Sequence, residues 1–216
     1  MRIAIVTDAW APQVNGVVTT LTRTSETLRG FGHEVSVVHP GAFRTFPCPS
    51  YPEIRLAWRP FSGVARRLEE ISPDRIHIAT EGPLGLAARR YCLRRRLRFT
   101  TSYHTQFPQY LRARAPVPLA VSFAFLRWFH GGAARTMVAT QRQREELRAR
   151  RFENLGAWTR GVDTQLFRPG DPEALADPRV GTHADTHLVH VGTHGLAEVR
   201  DLVHERDLGG KECIGC

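Results

Sequence analysis

The chain opens with MRIAIVTDAWAPQVNGVV, residues 1–18. Residues 2–7 are a near-continuous apolar run, which suits a strand buried on both faces better than one with a wet side. The period then changes. Val14, Val17, Val18, Leu21, Leu28 and Phe31 recur at helical spacing, and Gly30 and Gly32 offer a stop. A buried strand passing through one polar loop into a helix is the opening step of a parallel sheet covered by helices.

The same alternation continues outward from that stretch. Residues 34–39 (EVSVVH) read as a second strand, followed by a loop rich in proline and aromatic residues with a short strand at 54–57. Helices are expected over 61–71, 82–96, 118–129 and 141–151, and strands over 74–79, 99–103, 136–140 and 155–159. Pro83 falls in the first turn of its helix, where the missing N–H costs nothing. The expected fold is α/β, a Rossmann-like doubly wound parallel sheet of about 165 residues. Beyond residue 169 the pattern weakens to one β-run at 187–191 and one helical candidate at 196–204, in a tail holding five of the ten histidines. The organisation is therefore one domain over 1–169 and an irregular tail over 170–216, too short for a second Rossmann domain.

Composition excludes some functions. No apolar stretch reaches the roughly 18–20 residues needed to span a bilayer, and residues 1–6 run directly into a strand without a signal-peptide pattern, so the sequence reads as cytoplasmic. Cys48, Cys92, Cys213 and Cys216 are scattered, as thiols in a reducing compartment would be, and a lone C-x-x-C supplies two of the four ligands of a closed zinc site. The net charge of +9 is almost wholly arginine, with Lys211 the one lysine. It points to an anionic partner or to compositional bias. The arginines at 89, 90, 94, 95, 96 and 98 and those at 142, 144, 148, 150 and 151 form two clusters, and PLAVSFAFLRWF (118–129) carries four large aromatics. Together they read either as a face for anionic membrane or as core aromatics with a solvated rim. Nothing matches a nucleic-acid reader.

Four segments lie just past expected strand ends, at the sheet edge where open α/β folds bind ligands. TDAWAPQVNGV (7–17) lacks the G-x-G-x-x-G of dinucleotide binding; its Asn15-Gly16-Val17 either lets an anion approach a helix N-terminus or is an ordinary turn. In TEGPLG (80–85), Glu81 either binds sugar hydroxyls or complements the following helix dipole. In SYHTQFPQY (102–110), His104 either hydrogen-bonds a ligand or is structural. WTRGVDTQLFRP (158–169) reads as strand, turn and proline stop.

Taken in order, TDAWAPQVNGVVTTL, GHEVSVVHP, TEGPLG, SYHTQFPQYLRAR and RGVDTQLFRP closely resemble the N-terminal half of family-4 retaining glycosyltransferases of GT-B architecture, over about residues 1–169. The nearest group is bacterial α-mannosyltransferases and their sulfoquinovosyl and glucosyl relatives acting on lipid-linked acceptors. The resemblance implies a hexosyl transfer, mannosyl first, from a GDP- or UDP-linked sugar to a lipid-linked or glycan acceptor, with no metal and no cofactor beyond that substrate. It implies that Asn15, Gly16 and Val17 lie against the donor diphosphate, His104 against the transferred sugar, and Asp8 and Glu81 near the acceptor. It also implies a peripheral position on the inner face of the cell membrane.

The tail departs from that family. His190-Val191-Gly192-Thr193 resembles the expected glycine-turn strand, but no Arg–Lys pair follows, and Glu198 and Glu205 have the wrong spacing for the family's paired glutamates. The expectation is a truncated or frameshifted copy, or alternatively a non-catalytic acceptor-binding remnant. A diphosphate leaving group gathers charge that cations must meet. The 216-residue chain, incubated with a GDP- or UDP-sugar and a lipid acceptor, is therefore predicted to give no turnover above buffer; measurable transfer would refute this.

Overall fold

A computed structural model describes residues 1–48, 51–104 and 118–159. In chain order the elements are β1 (Arg2–Val6), α1 (Gly16–Gly30), β2 (Glu34–Val38), a 3-10 turn (Pro40–Ala42), β3 (Thr45–Cys48), β4 (Tyr51–Ala57), α2 (Phe61–Ile71), β5 (Arg75–Ile78), α3 (Pro83–Arg95), β6 (Phe99–Tyr103), α4 (Leu119–Gly131), β7 (Arg135–Val138), α5 (Gln141–Ala149) and β8 (Leu155–Ala157).

Six strands form one parallel sheet in the order β2-β1-β5-β6-β7-β8, in register Ile5↔Val37 and Ile5↔His77 across its centre. The chain steps one way from β1 to β2, then returns to the other side of β1 and continues outward. Right-handed crossovers place helices of opposite travel on opposite faces. The packing agrees: Leu21 and Leu28 of α1 bury against Ile3, Ile5 and Val35, whereas α2 and α3 bury Val64, Leu68, Leu84 and Ala88 against Ala4, Val6, Ile76 and Ile78. Phe123 and Leu126 of α4 and Leu147 of α5 continue that second face over Tyr103 and Val138. The reversal leaves a switch point between β1 and β5, where the carboxyl ends of neighbouring strands open a crevice.

Four sequence expectations change. The helix expected from Val14 starts at Gly16, because Asn15 is extended and caps it, which leaves Val14 99% exposed. The proline- and aromatic-rich loop contains a strand, β3, that pairs with β4 as an antiparallel hairpin, a pattern its prolines hide. Phe123 and Phe129 belong to the core, and Phe125 is half-buried; among the large aromatics of α4, Trp128 is the exposed one. Arg89 leaves the basic rim: its Nε donates to Phe129 O at 2.9 Å and its Nη2 to Trp128 O at 2.7 Å, a cation at the carboxyl end of α4. The other arginines of its cluster, Arg90, Arg94, Arg95, Arg96 and Arg98, are exposed. Cys92 is buried and its thiol is pushed up to about 12 by burial. No helix among the described residues is long and apolar enough to cross a membrane. The segment from Arg160, the tail strand and helix, and the Cys213–Cys216 pair lie outside the described residues.

Candidate functional site

The site is built at the carboxyl ends of β1, β5 and β6, three adjacent strands. Asp8 follows β1 and turns inward. Its Oδ1 accepts from the Leu84 N–H at 2.9 Å, and its Oδ2 accepts from the Thr80 hydroxyl at 2.8 Å and the Gly85 N–H at 3.4 Å. Thr80 Oγ1 in turn accepts from the Asp8 N–H at 2.7 Å. The N-cap residue of α3, Gly82, has no side chain to cap with, so Asp8 serves the orphan first-turn donors of α3 from another strand. The two glycines of TEGPLG make room for this. A Cβ on Gly82 would fall 2.5 Å from the Asp8 carboxyl carbon, and one on Gly85 would fall 1.9 Å from Thr80 O. With 6% of its surface exposed and both oxygens occupied, the Asp8 carboxylate is a clasp across the switch point.

Glu81, one residue on, keeps a side chain 16% exposed, and its Oε1 lies 3.2 Å from Nε2 of the fully buried His130. His130 Nδ1 lies 2.9 Å from Thr101 Oγ1, which lies 3.1 Å from Thr136 Oγ1. Glu81 is thus tied to a polar chain under the α2–α5 face of the sheet.

His104, past the end of β6, is tied to the opposite face. Its Nε2 lies 2.8 Å from Ser102 Oγ, which lies 3.1 Å from Nε2 of His77, whose Nδ1 lies 2.8 Å from Thr100 Oγ1. Trp158 packs edge-on to His77, with ring centroids 5.6 Å apart, and 5.3 Å from His104. A shallow recess beside them is lined by Thr20, Tyr103, His104, Met137, Ala139 and Trp158.

Asn15 caps α1. Its Oδ1 accepts from the Val17 and Val18 N–H groups, each at 3.0 Å, and its Nδ2 donates to Gln13 Oε1 at 3.3 Å. Gln13 Nε2 donates to Asp8 O at 3.3 Å, so the glycine loop is anchored to the same clasp. An anion drawn to the first turn of α1 competes with the Asn15 carbonyl for two of its donors. Asn15 and Gly16 are otherwise at the surface, while Val17 is half-buried against the core under α1. Among the described residues, no three His, Cys, Asp or Glu side chains converge as a metal site requires.

Sequence reasoning passed over His77, Ser102, His130 and Trp158. The signal for two of them was present: His77 and Ser102 are polar residues in expected strands of a helix-covered parallel sheet, and buried polar residues need internal partners.

With this geometry in view, residues 14–166 match the model of Glycosyltransferase Family 4, and the chain belongs to that family. It is 30% identical over 187 residues to a GDP-mannose-dependent alpha-mannosyltransferase of Corynebacterium glutamicum, covering 79% of this chain and 45% of the relative. A protein of the same description from Mycobacterium tuberculosis is 28% identical over 187 residues, covering 78% and 50%. An alpha-monoglucosyldiacylglycerol synthase of Acholeplasma laidlawii is 31% identical over 127 residues, covering 51% and 31%. The chain spans about half the length of the mannosyltransferases it matches. A solved alpha-glucosyltransferase in complex with UDP and DNA is similar at a TM-score of 0.45 and 13% identity, over 77% of this chain and 42% of that one, too slight a likeness to carry weight.

Burial gives two groups opposed pH signatures. Desolvation raises the Asp8 carboxyl to about 6, against hydrogen bonds from Leu84, Thr80 and Gly85 that lower it. Desolvation lowers the His77 imidazole to about 4. Between about pH 4 and 6 the folded chain therefore holds the Asp8 proton more tightly than the unfolded chain, so this group makes stability fall as pH rises. His77 binds its proton more tightly when unfolded, so from about pH 4 to 6.5 it makes stability rise with pH. Each effect is on the order of 3 kcal/mol, and in the parent chain the two oppose each other. Urea midpoints across this range should rise more steeply with pH in Asp8→Asn than in the parent, and less steeply or with reversed sign in His77→Gln. Parallel curves for all three would refute the assignment.

Proposed function

We propose that this chain supplies the acceptor-side portion of a retaining glycosyltransferase that moves a hexosyl group, mannosyl in the first instance, from a GDP- or UDP-linked sugar to a lipid-linked or glycan acceptor. The observation that supports this most directly is the shared edge. The glycine loop, Glu81 and His104 emerge from β1, β5 and β6 side by side, in a family whose relatives include GDP-mannose-dependent mannosyltransferases. In this reading Gly16 and Val17 meet the donor diphosphate at the start of α1, with Asn15 as the cap that yields or shares its donors. His104 contacts the sugar, and Glu81 faces the acceptor hydroxyl. Asp8 is kept for structure. The nucleotide-sugar is a substrate, and no further cofactor or metal is invoked.

The glycolipid-synthase relative favours a lipid-linked acceptor. The exposed arginines 90, 94, 95, 96 and 98 favour peripheral contact with anionic lipid on the cytoplasmic face. With two core aromatics removed from that face, charge is the larger part of such contact.

Addition of GDP-mannose to the 15N-labelled 216-residue chain is predicted to shift the amides of Gly16, Val17, Glu81 and His104, while those at the amino edge of the sheet, such as Arg75 and Arg98, stay in place. Shifts confined to the arginine clusters would indicate non-specific anion binding and refute the site; no shifts at any concentration tested would refute donor contact by this portion.

A further inference from the structure

We propose that the outer face of α3, with Phe61 on one flank and Trp128 on the other, is a preformed anchor that inserts into the surface of an anionic lipid bilayer. The proposal rests on the peripheral membrane contact proposed above, and adds an apolar component that salt does not screen.

One side of α3 is committed to the core: Leu84, Ala87, Ala88 and Cys92 pack against the sheet. Leu86, Arg90 and Leu93 recur on the outer side at intervals of four and three, with Arg94 beside them. Leu93 is 44% exposed, which alone would mean nothing. Its neighbours give it meaning. Arg89 and Arg90 are consecutive, so they leave the helix about 100° apart and reach opposite ways. The Arg90 guanidinium carbon lies 5.5 Å from the ring centroid of Phe61, the first residue of α2, and the Arg89 carbon lies 3.9 Å from that of Trp128 on α4. Both rings are half exposed, Phe61 at 50% and Trp128 at 54%. Two aromatic rings therefore straddle a leucine and arginine crest.

The Trp128 ring is fixed in advance. Arg89, on which it stacks, is itself held by the Trp128 and Phe129 carbonyls, so the pair is ordered from within the protein. Indole suits the boundary of a bilayer, where its apolar body and its N–H both find partners.

Charge selects the same occupant. The helices α3 and α4 contain no acidic residue. Among the described residues Arg95 is taken up by Glu69, while Arg90 and Arg94 meet no carboxylate. An anionic lipid surface answers such a crest. A second copy of the chain would set arginine against arginine across the contact.

The placement bears on the acceptor. Glu81 lies two residues before Pro83, the first residue of α3. With α3 lying along the bilayer, Glu81 comes to headgroup level, where a lipid-linked hydroxyl arrives without leaving the membrane.

The test is co-sedimentation of the 216-residue chain with vesicles of equal parts phosphatidylglycerol and phosphatidylcholine. The parent should bind at low salt, and a fraction should stay bound at about 1 M salt, where the Debye length is about 3 Å. Phe61→Ser combined with Trp128→Ser should lower that salt-resistant binding about tenfold or more and keep the low-salt binding. Arg90→Glu combined with Arg94→Glu should weaken the low-salt binding. Complete release of the parent at high salt, or equal salt resistance in the double serine variant, overturns the anchor and leaves charge-driven contact standing. Equal binding to pure phosphatidylcholine overturns the anionic preference and the proposal with it. No binding at low salt refutes the membrane contact itself. A dimer of the parent that the serine substitutions dissociate would assign the face to a second copy and overturn the proposal. If the double serine variant does not fold, quenching of tryptophan emission by brominated lipid decides: it should fall in Trp128→Phe, and equal quenching there overturns the anchor.

Discussion

The Asp8 carboxylate reaches from the end of β1 to the first turn of α3, two elements separated by more than seventy residues of chain. Much of the described site hangs on that reach. A parallel sheet with a switch point leaves a gap where its helices diverge, and the helix beginning there has backbone donors that no residue of its own caps. Asp8 satisfies them, and the reciprocal bonds with Thr80 fix the spacing of β1 and β5 at their carboxyl ends. A burial that raises the carboxyl to about 6 still leaves it mostly ionised near neutral pH, where it faces the positive end of the α3 dipole. Gln13 extends the same anchor to the glycine loop.

From this fixed edge the two outward side chains are held from opposite faces of one sheet. Glu81 is tethered through His130 to threonines under the α2–α5 face, and His104 through Ser102 and His77 on the α1 face. In both cases a buried histidine carries the connection, because imidazole can accept at one nitrogen and donate at the other, and so link two hydroxyls or a hydroxyl and a carboxylate. Alternation along β6 makes the division possible: Thr101 and Tyr103 face one way, Thr100 and Ser102 the other. A ligand at the edge would meet groups whose rotamers are set by the interior, the condition for recognition without a large ordering cost.

Much of the fold was legible because its signals are local. The apolar run at 2–6 and the EVSVV strand were clear from pattern, as were the helices α1 and α3, although the cap that starts α1 at Gly16 and not at Val14 was not. The β3–β4 hairpin was half missed, since prolines and aromatics mask its alternation. The candidate site was legible as an edge: strand ends announce themselves, and all four motifs fall past one. What each residue does there was not legible. Nothing in TDAW reports that the N-terminus of α3 lies against Asp8. Arg89 looked like part of a basic rim because its role depends on where α4 ends. His77, Ser102 and His130 act through contacts between segments distant in sequence, and spacing along one strand carries no record of those partners.

Amide hydrogen exchange at Leu84 and Gly85, compared between the parent chain and Asp8→Ala, tests the clasp most directly. The account predicts faster exchange at both amides in the variant, equivalent to a loss of about 0.5–2 kcal/mol of local protection, the usual range for a removed helix cap, with protection across β7 and β8 unchanged. Equal exchange at Leu84 and Gly85 in the two proteins would contradict it, and the edge would then owe its geometry to something other than this carboxylate.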